Sequence, residues 1–158
     1  MPMRTIDGAQ TAVGLRVALI VSKYHDFVTD KLQAGALAAL EKAKVSAITI
    51  VKVPGAFEIP TAARQAADTR HFDAVVCLGC LIRGATPHFD FIAAAVANGL
   101  VTASSDSGIP MSFGVLTTNS VEEALERAAD GPTNKGYEAA TAAMEMATVA
   151  RALRDGGR

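Results

Sequence analysis

One short stretch, residues 79–90, brings a basic residue, a small-residue turn, a hydroxyl and a histidine together. It follows an apolar run, residues 74–78, that predicts a buried strand. Thr86 is a good N-cap and Pro87 suits a first helical position, so we predict that a helix begins here. Free backbone N–H groups at such a helix end, aided by the helix dipole, favour an anion. His88 would lie in the first turn, so the stretch predicts a phosphate site with a proton-transfer group.

Strand-like and helical patterns alternate along the chain. Four runs predict strands, several of them apolar enough to be covered on both faces: residues 15–21, 45–53, 74–78 and 111–116. The helices between and after them are marked by Asp26 as a cap, by Pro60 in a first turn and by the apolar spacing of Phe89, Ile92, Val96 and Leu100. Two further helices follow, one from a capping box at 120–123 with Leu125 and Ala128 behind it, and one capped by Thr133 or Asn134. This order predicts parallel strands and a three-layer α/β domain.

The chemically distinctive residues follow the predicted strands. Ligands of parallel α/β sheets bind outside the carboxyl ends of the strands. Segments 22–26, 54–58 and 79–90 stand at three such ends, and Phe113 and residues 117–119 lie at the fourth strand. We therefore expect an aromatic ring, a carboxylate, a phosphate-type turn and a histidine to meet at one edge of the sheet.

Composition narrows the function classes. The chain has 158 residues, 50% of them hydrophobic, and its net charge of −1 argues against a nucleic-acid surface or a polybasic membrane surface. An aromatic content of 5% without tryptophan argues against a stacking platform for single strands. Residues 1–13 lack the order of a signal peptide, and no apolar stretch approaches the roughly 20 residues needed to span a bilayer. These features predict a cytoplasmic location.

The two cysteines, Cys77 and Cys80, have C-x-x-C spacing. One interpretation is a thioredoxin-like redox pair. However, the first cysteine of such a pair is usually exposed at a helix N-terminus, whereas Cys77 falls inside an apolar run. The other interpretation is one core cysteine and one small residue at a strand end. Two cysteines alone cannot complete a four-ligand zinc site.

Four segments together resemble the 6,7-dimethyl-8-ribityllumazine synthase family. They are residues 53–60 (VPGAFEIP), 78–90 (LGCLIRGATPHFD), 113–118 (FGVLTT) and 134–136 (NKG). The resemblance implies a flavodoxin-like domain over residues 14–154. Residues 1–13 have no helical period and predict an extended N-terminal arm, which by the resemblance would add a strand to a neighbouring subunit, and residues 155–158 predict a frayed tail.

The resemblance also implies a reaction. A ribityl-substituted aminouracil, 5-amino-6-(D-ribitylamino)uracil, condenses with 3,4-dihydroxy-2-butanone 4-phosphate, the penultimate step of riboflavin biosynthesis. No metal or organic cofactor takes part. The residues fit this chemistry independently, because imine formation and elimination need proton transfers that histidine serves near neutral pH.

By the same resemblance, His88 is the proton-transfer residue. The alternative is a surface histidine in the first turn of a helix with no role in the reaction. Ala85 and Thr86 correspond to the phosphate-binding pair, Arg127 to its charged partner and Lys135 to a further positive charge. A guanidinium can hold phosphate oxygens in a bidentate manner. Solvated side chains remain the alternative for Arg127 and Lys135.

The aminouracil and its ribityl chain would be bound by a second set of residues. Tyr24 corresponds to the stacking ring, and Glu58 would accept hydrogen bonds from ribityl hydroxyls, although a glutamate is favoured in a first turn anyway. Phe113 contacts the heterocycle or is simply a core residue. Arg83 serves the substrate or a subunit contact. The remaining members of this set are Ala56, Phe57, Cys80, Leu81 and Ile82.

The resemblance implies homopentamers with active sites between neighbouring subunits. Some members stack twelve pentamers into an icosahedral shell, and residues 130–133 leave pentamer and shell open. Riboflavin synthase is a candidate partner. Tyr24 and His25 depart from the commoner Phe or Trp and Asn of the family, and Ala93–Ala95 replace a stretch that often carries a glutamate.

Two other functions compete with the enzyme. A non-catalytic flavin or lumazine binder, or a shell protein, would keep the fold and the pocket without turnover; the presence of His88, Arg127 and Glu58 argues against it. A flavodoxin-like electron carrier would need a hydroxyl-rich phosphate loop after the first strand, which residues 22–25 do not resemble.

Overall fold

The computed structural model describes residues 1–9 and 12–156. Within them lie four strands, β1 (Arg16–Ser22), β2 (Ala47–Val53), β3 (Ala74–Ile82) and β4 (Met111–Thr118), and the α-helices α1 (Asp26–Lys42), α2 (Ile59–Asp68), α3 (His88–Ser107), α4 (Val121–Arg127) and α5 (Lys135–Arg154). A short 3₁₀ turn, Ala56–Glu58, leads into α2. The strands form one all-parallel sheet in the order β2-β1-β3-β4, which confirms the α/β, flavodoxin-like class.

Side chains of the central strands point alternately to the two faces of the sheet and pack into two separate hydrophobic layers. Val17, Leu19 and Val21 of β1 face one cluster, which includes residues of α1, α4 and α5. Ala18 and Ile20 face the other, which is covered by α2 and α3. The sheet is therefore the middle of three layers, as the alternation of patterns predicted.

The edge strand β2 departs from the expectation of strands covered on both faces. Only Val53 of its residues is buried, and Ile50 keeps 41% of its surface exposed. Among the described residues, β2 pairs with β1 on one side only and lies at the rim of the sheet. The apolar run in the sequence indicates a strand correctly but does not tell an edge from a centre.

Several helix starts differ from the sequence expectations. His25, not Asp26, is the N-cap of α1, and Pro87, not Thr86, is the N-cap of α3, with no side chain capping either helix. At α4 the capping box is incomplete: Ser120 Oγ accepts from the Glu123 N–H, but the Glu123 carboxylate accepts from the Asn119 N–H instead of that of Ser120. Behind the box, Ala124 takes the buried position of α4 and Leu125 is 37% exposed.

The final helix α5 is capped by Asn134, the second of the two predicted candidates. Its Oδ1 accepts from the N–H groups of Gly136 (2.8 Å) and Tyr137 (3.1 Å), and its Nδ2 donates to the carbonyls of Ala128 (2.9 Å) and Lys31 (3.2 Å). Asn134 is only 2% exposed. The side chain thus joins α1, the end of α4 and the start of α5.

The predicted arm and tail at the two ends of the chain stay predictions. Residues 1–9 contain no helix or strand, and the Ala9 N–H donates to Thr148 Oγ1 of α5 (2.9 Å). Parts of the predicted arm and tail, residues 10–11 and 157–158, lie outside the described residues. No helix of the described chain is both long and apolar enough to cross a membrane.

Candidate functional site

A cleft of about 830 Å³ lies at the carboxyl edge of the sheet. We call it the main cleft. The cleft lies where the order of the strands in the sheet switches sides, between the neighbouring strands β1 and β3. The walls of the cleft come from the end of β3, from the segments that follow β1, β2 and β3, from the first turns of α3 and from the start of α4. Such a switch in strand order is where doubly wound sheets open a crevice for ligands. The predicted meeting of strand-end residues therefore occurs at this edge.

Most of the predicted site residues line the main cleft. They include the predicted proton-transfer residue, the stacking ring and most of the aminouracil set: Tyr24, Ala56, Phe57, Glu58, Cys80, Leu81, Ile82, Thr86 and His88. Ala85 lies between Gly84 and Thr86 on the exposed β3–α3 loop and is not itself among the lining residues. One wall of the cleft thus combines polar groups with exposed aromatic rings.

The aromatic rings of the cleft are open to a ligand. Tyr24 is 68% exposed and Phe57 is 62% exposed, although rings of this size are usually well covered in a folded domain. The Tyr24 ring is supported from behind by His25, whose ring centre lies 4.4 Å away at a tilt of 56°. A flat heterocycle could therefore cover apolar ring surface that the chain alone leaves in water.

Glu58 is oriented by its own backbone turn. Its Oε2 accepts a hydrogen bond from the Gly55 N–H at 3.1 Å. A carboxylate accepts several hydrogen bonds, so the second oxygen remains available to donors in the cleft. The structure accordingly supports an acceptor role for Glu58 toward hydroxyl groups.

His88 is the first residue of α3, in the first turn as expected, and its side chain is exposed to the cleft. No side chain caps this helix, so its N-terminal N–H groups and the dipole of α3 face the β3–α3 loop. An anion held by the loop would lie beside the imidazole. Although the N-cap is Pro87 and not Thr86, His88 still lies at the N-terminus of α3 beside the loop.

The other predicted phosphate and ring residues lie elsewhere. Phe113, Arg127 and Lys135 line a smaller cleft of about 380 Å³ over β4 and α5, which we call the β4 cleft. The two clefts have no lining residue in common among those described. Phe113 is 48% exposed, so the alternative that it is a core residue is wrong. One copy of the chain therefore carries the predicted site in two separate parts.

The cations of the β4 cleft are partly engaged. Arg127 donates through Nη1 to the Glu123 carbonyl at 3.1 Å, which leaves its other N–H groups for a ligand. Lys135 pairs with Glu138 at 2.8 Å, and both lie in this cleft. Arg127 is thus the freer positive charge of the two.

The cysteines of the C-x-x-C pattern are free and buried, at 0% exposure for Cys77 and 2% for Cys80. Burial raises the pKa of Cys77 and raises that of Cys80 to about 11. Thiols with raised pKa values hold little of the reactive thiolate at neutral pH. The structure thus favours the interpretation of one core cysteine and one strand-end cysteine, with Cys80 in the wall of the main cleft.

Several lining residues of the main cleft were not among the predicted site residues. They are His25, Pro54, Gly55, Gly84, Phe89, Ile92 and Val121. Most flank predicted members directly, and Val121 follows the end of β4, where the strand-end rule would have placed it. Among the described residues, no group of three or more His, Cys, Asp or Glu side chains is arranged to hold a metal ion.

Comparison with known proteins gives a match to a family and weak structural similarities. A family model described as 6,7-dimethyl-8-ribityllumazine synthase matches residues 14–151. A GDP-L-fucose synthetase from Naegleria fowleri bound to NADP aligns at 15% identity and TM-score 0.46, over 98% of this chain and 52% of its own. A second structure of that synthetase gives 15% identity and TM-score 0.41, over 92% and 48%. The chain spans about half the length of these structures, and such weak similarity carries no argument about function.

Proposed function

Because the chain belongs to the 6,7-dimethyl-8-ribityllumazine synthase family, we propose that it condenses 5-amino-6-(D-ribitylamino)uracil with 3,4-dihydroxy-2-butanone 4-phosphate. The products are 6,7-dimethyl-8-ribityllumazine, inorganic phosphate and water. One observation carries the proposal: the cleft at the carboxyl edge brings the histidine, the carboxylate and exposed aromatic rings together within the region that the family model matches.

Each chemical need of the reaction has a matching group. The aminouracil ring would stack on Tyr24, and its ribityl hydroxyls would donate to Glu58. The amine attacks the ketone and loses water to give an imine. His88 would move protons during that step and during loss of phosphate, because histidine exchanges protons near neutral pH. Attack by the second nitrogen and loss of a second water close the ring.

The phosphate would lie between the β3–α3 loop and a guanidinium. Within one chain, Thr86 lines the main cleft whereas Arg127 lines the β4 cleft. We propose that the complete site forms where the main cleft of one copy meets the β4 cleft of the next. Arg127 and Phe113 of the neighbour would then complete the phosphate and ring contacts. This arrangement requires a homo-oligomer, for which the family suggests a pentamer.

The test is a direct assay with both substrates. Purified protein, without added metal, should produce the absorbance of the lumazine at a rate that depends on each substrate and exceeds the uncatalysed condensation. A correctly assembled oligomer that binds lumazine without accelerating the reaction would contradict the proposal and indicate a non-catalytic binder or shell protein.

A further inference from the structure

We propose that Arg83 is a positioning residue for His88: its side chain spans the β3–α3 loop and holds the start of α3 in place. The inference rests on the proposed function and extends it to a side chain that lines neither cleft. It adds a role within the chain to the two sequence interpretations of Arg83, a substrate contact and a subunit contact, since the observed contacts are to the chain's own residues.

The Arg83 side chain makes three different contacts. Its Nε donates to Asn119 Oδ1 at 3.2 Å, and its Nη1 lies 3.1 and 3.2 Å from the two carboxylate oxygens of Asp90. Its guanidinium carbon lies 4.4 Å from the ring centre of Phe89. In addition, its backbone N–H donates to the Thr118 carbonyl at 2.8 Å. One residue thus ties the end of β3 to the end of β4 and to the first turn of α3.

Two of these partners lie at the far end of the β3–α3 loop from Arg83 itself. Arg83 stands at the beginning of the loop, and Phe89 and Asp90 directly follow His88. A side chain that links the two ends of a loop restricts the space that the loop can sample. Because Phe89 and Asp90 belong to the same helical turn as His88, holding them also holds the backbone from which the imidazole projects.

Burial does not hold the loop in place. Residues 83–88 are exposed, and a Cβ added to Gly84 would meet no atom within 4 Å. Exposed segments with few packed atoms open easily unless specific contacts restrain them. The Arg83 contacts are therefore a specific restraint on this loop.

The contacts depend on the guanidinium shape. A planar fork can donate to two acceptors while its face covers an aromatic ring, whereas a lysine ammonium is a single point charge. Exposed ion pairs contribute little to folding stability. Loss of Arg83 should therefore disturb the geometry of the loop far more than the stability of the protein.

A first experiment tests the restraint independently of activity. Amide hydrogen exchange is measured by mass spectrometry on the peptide that contains residues 83–90, in the assembled wild-type protein and in Arg83→Gln. Exchange in this peptide should become at least about threefold faster in the variant. Arg64→Gln is the matched control, because Arg64 is similarly exposed and also joins two acceptors of its own chain, the carboxylates of Asp68 and Asp106, away from this loop. Unchanged exchange in Arg83→Gln would overturn the proposal even if the protein proves not to be a synthase.

A second experiment asks whether Arg83 acts through His88. Arg83→Gln should lower kcat about tenfold or more, because a small misplacement of a reacting group is costly. In a His88→Ala background the same change should lower kcat by less than about twofold, since groups that act as one unit are not additive. Equal factors in both backgrounds, or no effect in the wild-type background, would overturn the proposal.

A second variant guards against misfolding of the first. Asn119→Ala removes one acceptor of Arg83 and leaves the charge pair in place, so it should show the same two effects at smaller size. If the wild-type protein has no activity, the proposed function is refuted, but the exchange measurement still tests the role of Arg83.

Discussion

His25 shows how one residue can adapt the site locally. It adopts a left-handed backbone conformation with φ 61°, and its ring packs between Tyr24 and Phe27, with ring centres 4.4 and 5.7 Å away. Asn and His are among the few non-glycine residues enriched in this conformation. The residue turns the chain from β1 into α1 and supports the exposed ring of Tyr24.

Stability should depend on pH through His25. Burial lowers the pKa of His25 from its usual value of 6.5, so just below that pH the unfolded chain binds a proton that the folded chain does not. The free energy of unfolding should therefore fall as the pH drops through 6.5, and the loss should level off below the folded-state pKa. Urea unfolding at about pH 7.5 and 5.5 measures the loss. His25→Asn, which tolerates the same backbone conformation, should lose less than wild type; equal losses would rule out His25 as the source.

His88 is expected to serve turnover rather than binding. His88→Ala should lower kcat by about 100-fold, the effect of a positioned proton donor or acceptor, while the affinity for the product lumazine changes little. Steady-state assays and fluorescence titration measure the two quantities. Unchanged kcat would remove His88 from its proposed role.

Arg127 is expected to discriminate between the two substrates. Arg127→Ala should raise KM for the butanone phosphate about tenfold or more, because charge-assisted hydrogen bonds to phosphate are lost, and leave KM for the aminouracil nearly unchanged. Arg151→Ala, on the outer end of α5, is the control. Equal increases for both substrates would mean that Arg127 supports the fold or an interface instead.

At the scale of elements, the sequence predicts the order of strands and helices because apolar runs and helical spacing alternate cleanly. The sequence predicts burial less well where contacts with a neighbouring element determine which residue is covered. Leu125 and Ala124 are adjacent apolar residues, and only packing determines that Ala124 is buried and Leu125 exposed. Similarly, β2 has the apolar character of a covered strand but lies at an edge of the sheet. Such outcomes depend on tertiary neighbours, which local patterns do not contain.

The same limit applies to the candidate site. The strand-end rule predicts that Tyr24, Glu58 and His88 share one edge, because the direction of parallel strands follows from their connections. It does not predict that Phe113 and Arg127 line a different cleft, since this depends on where β4 and α4 turn relative to α3. The strand-end rule also does not predict the Arg83 contacts, because they form only when the ends of β3 and β4 and the start of α3 are in their final positions.

Asn134 is expected to be the most costly polar residue to lose among the helix caps. Asn134→Ala removes the cap of α5 and leaves the buried carbonyl of Ala128 and the half-buried carbonyl of Lys31 without this donor. The expected loss in the free energy of unfolding is about 2 kcal/mol. Urea unfolding should show a lower midpoint at an unchanged slope. Asn98→Ala, at an exposed position of α3, should change stability by less than about 0.5 kcal/mol. Equal effects would contradict the structural role of the cap.

At the scale of the whole molecule, the separation of the predicted site into two clefts is the central feature. A single copy presents aromatic rings and a histidine at one surface, and an arginine and a phenylalanine at another. Exposed apolar surface beside complementary polar groups is typical of surfaces that a partner covers. We therefore expect activity to require assembly, and dilution to monomers to abolish it.

Mixing of two impaired variants tests this most directly, with the butanone phosphate kept well below the wild-type KM so that both variants are slow on their own. His88→Ala and Arg127→Ala each damage one cleft only, so a site formed between a wild-type main cleft and a wild-type β4 cleft is regained when the two chains co-assemble. Random mixing in a closed ring would restore about a quarter of the sites. The activity per chain of the co-expressed oligomer should accordingly rise to about that fraction of wild type, above either variant alone. Activity no higher than the average of the two variants, in a verified mixed oligomer, would contradict a site shared between copies.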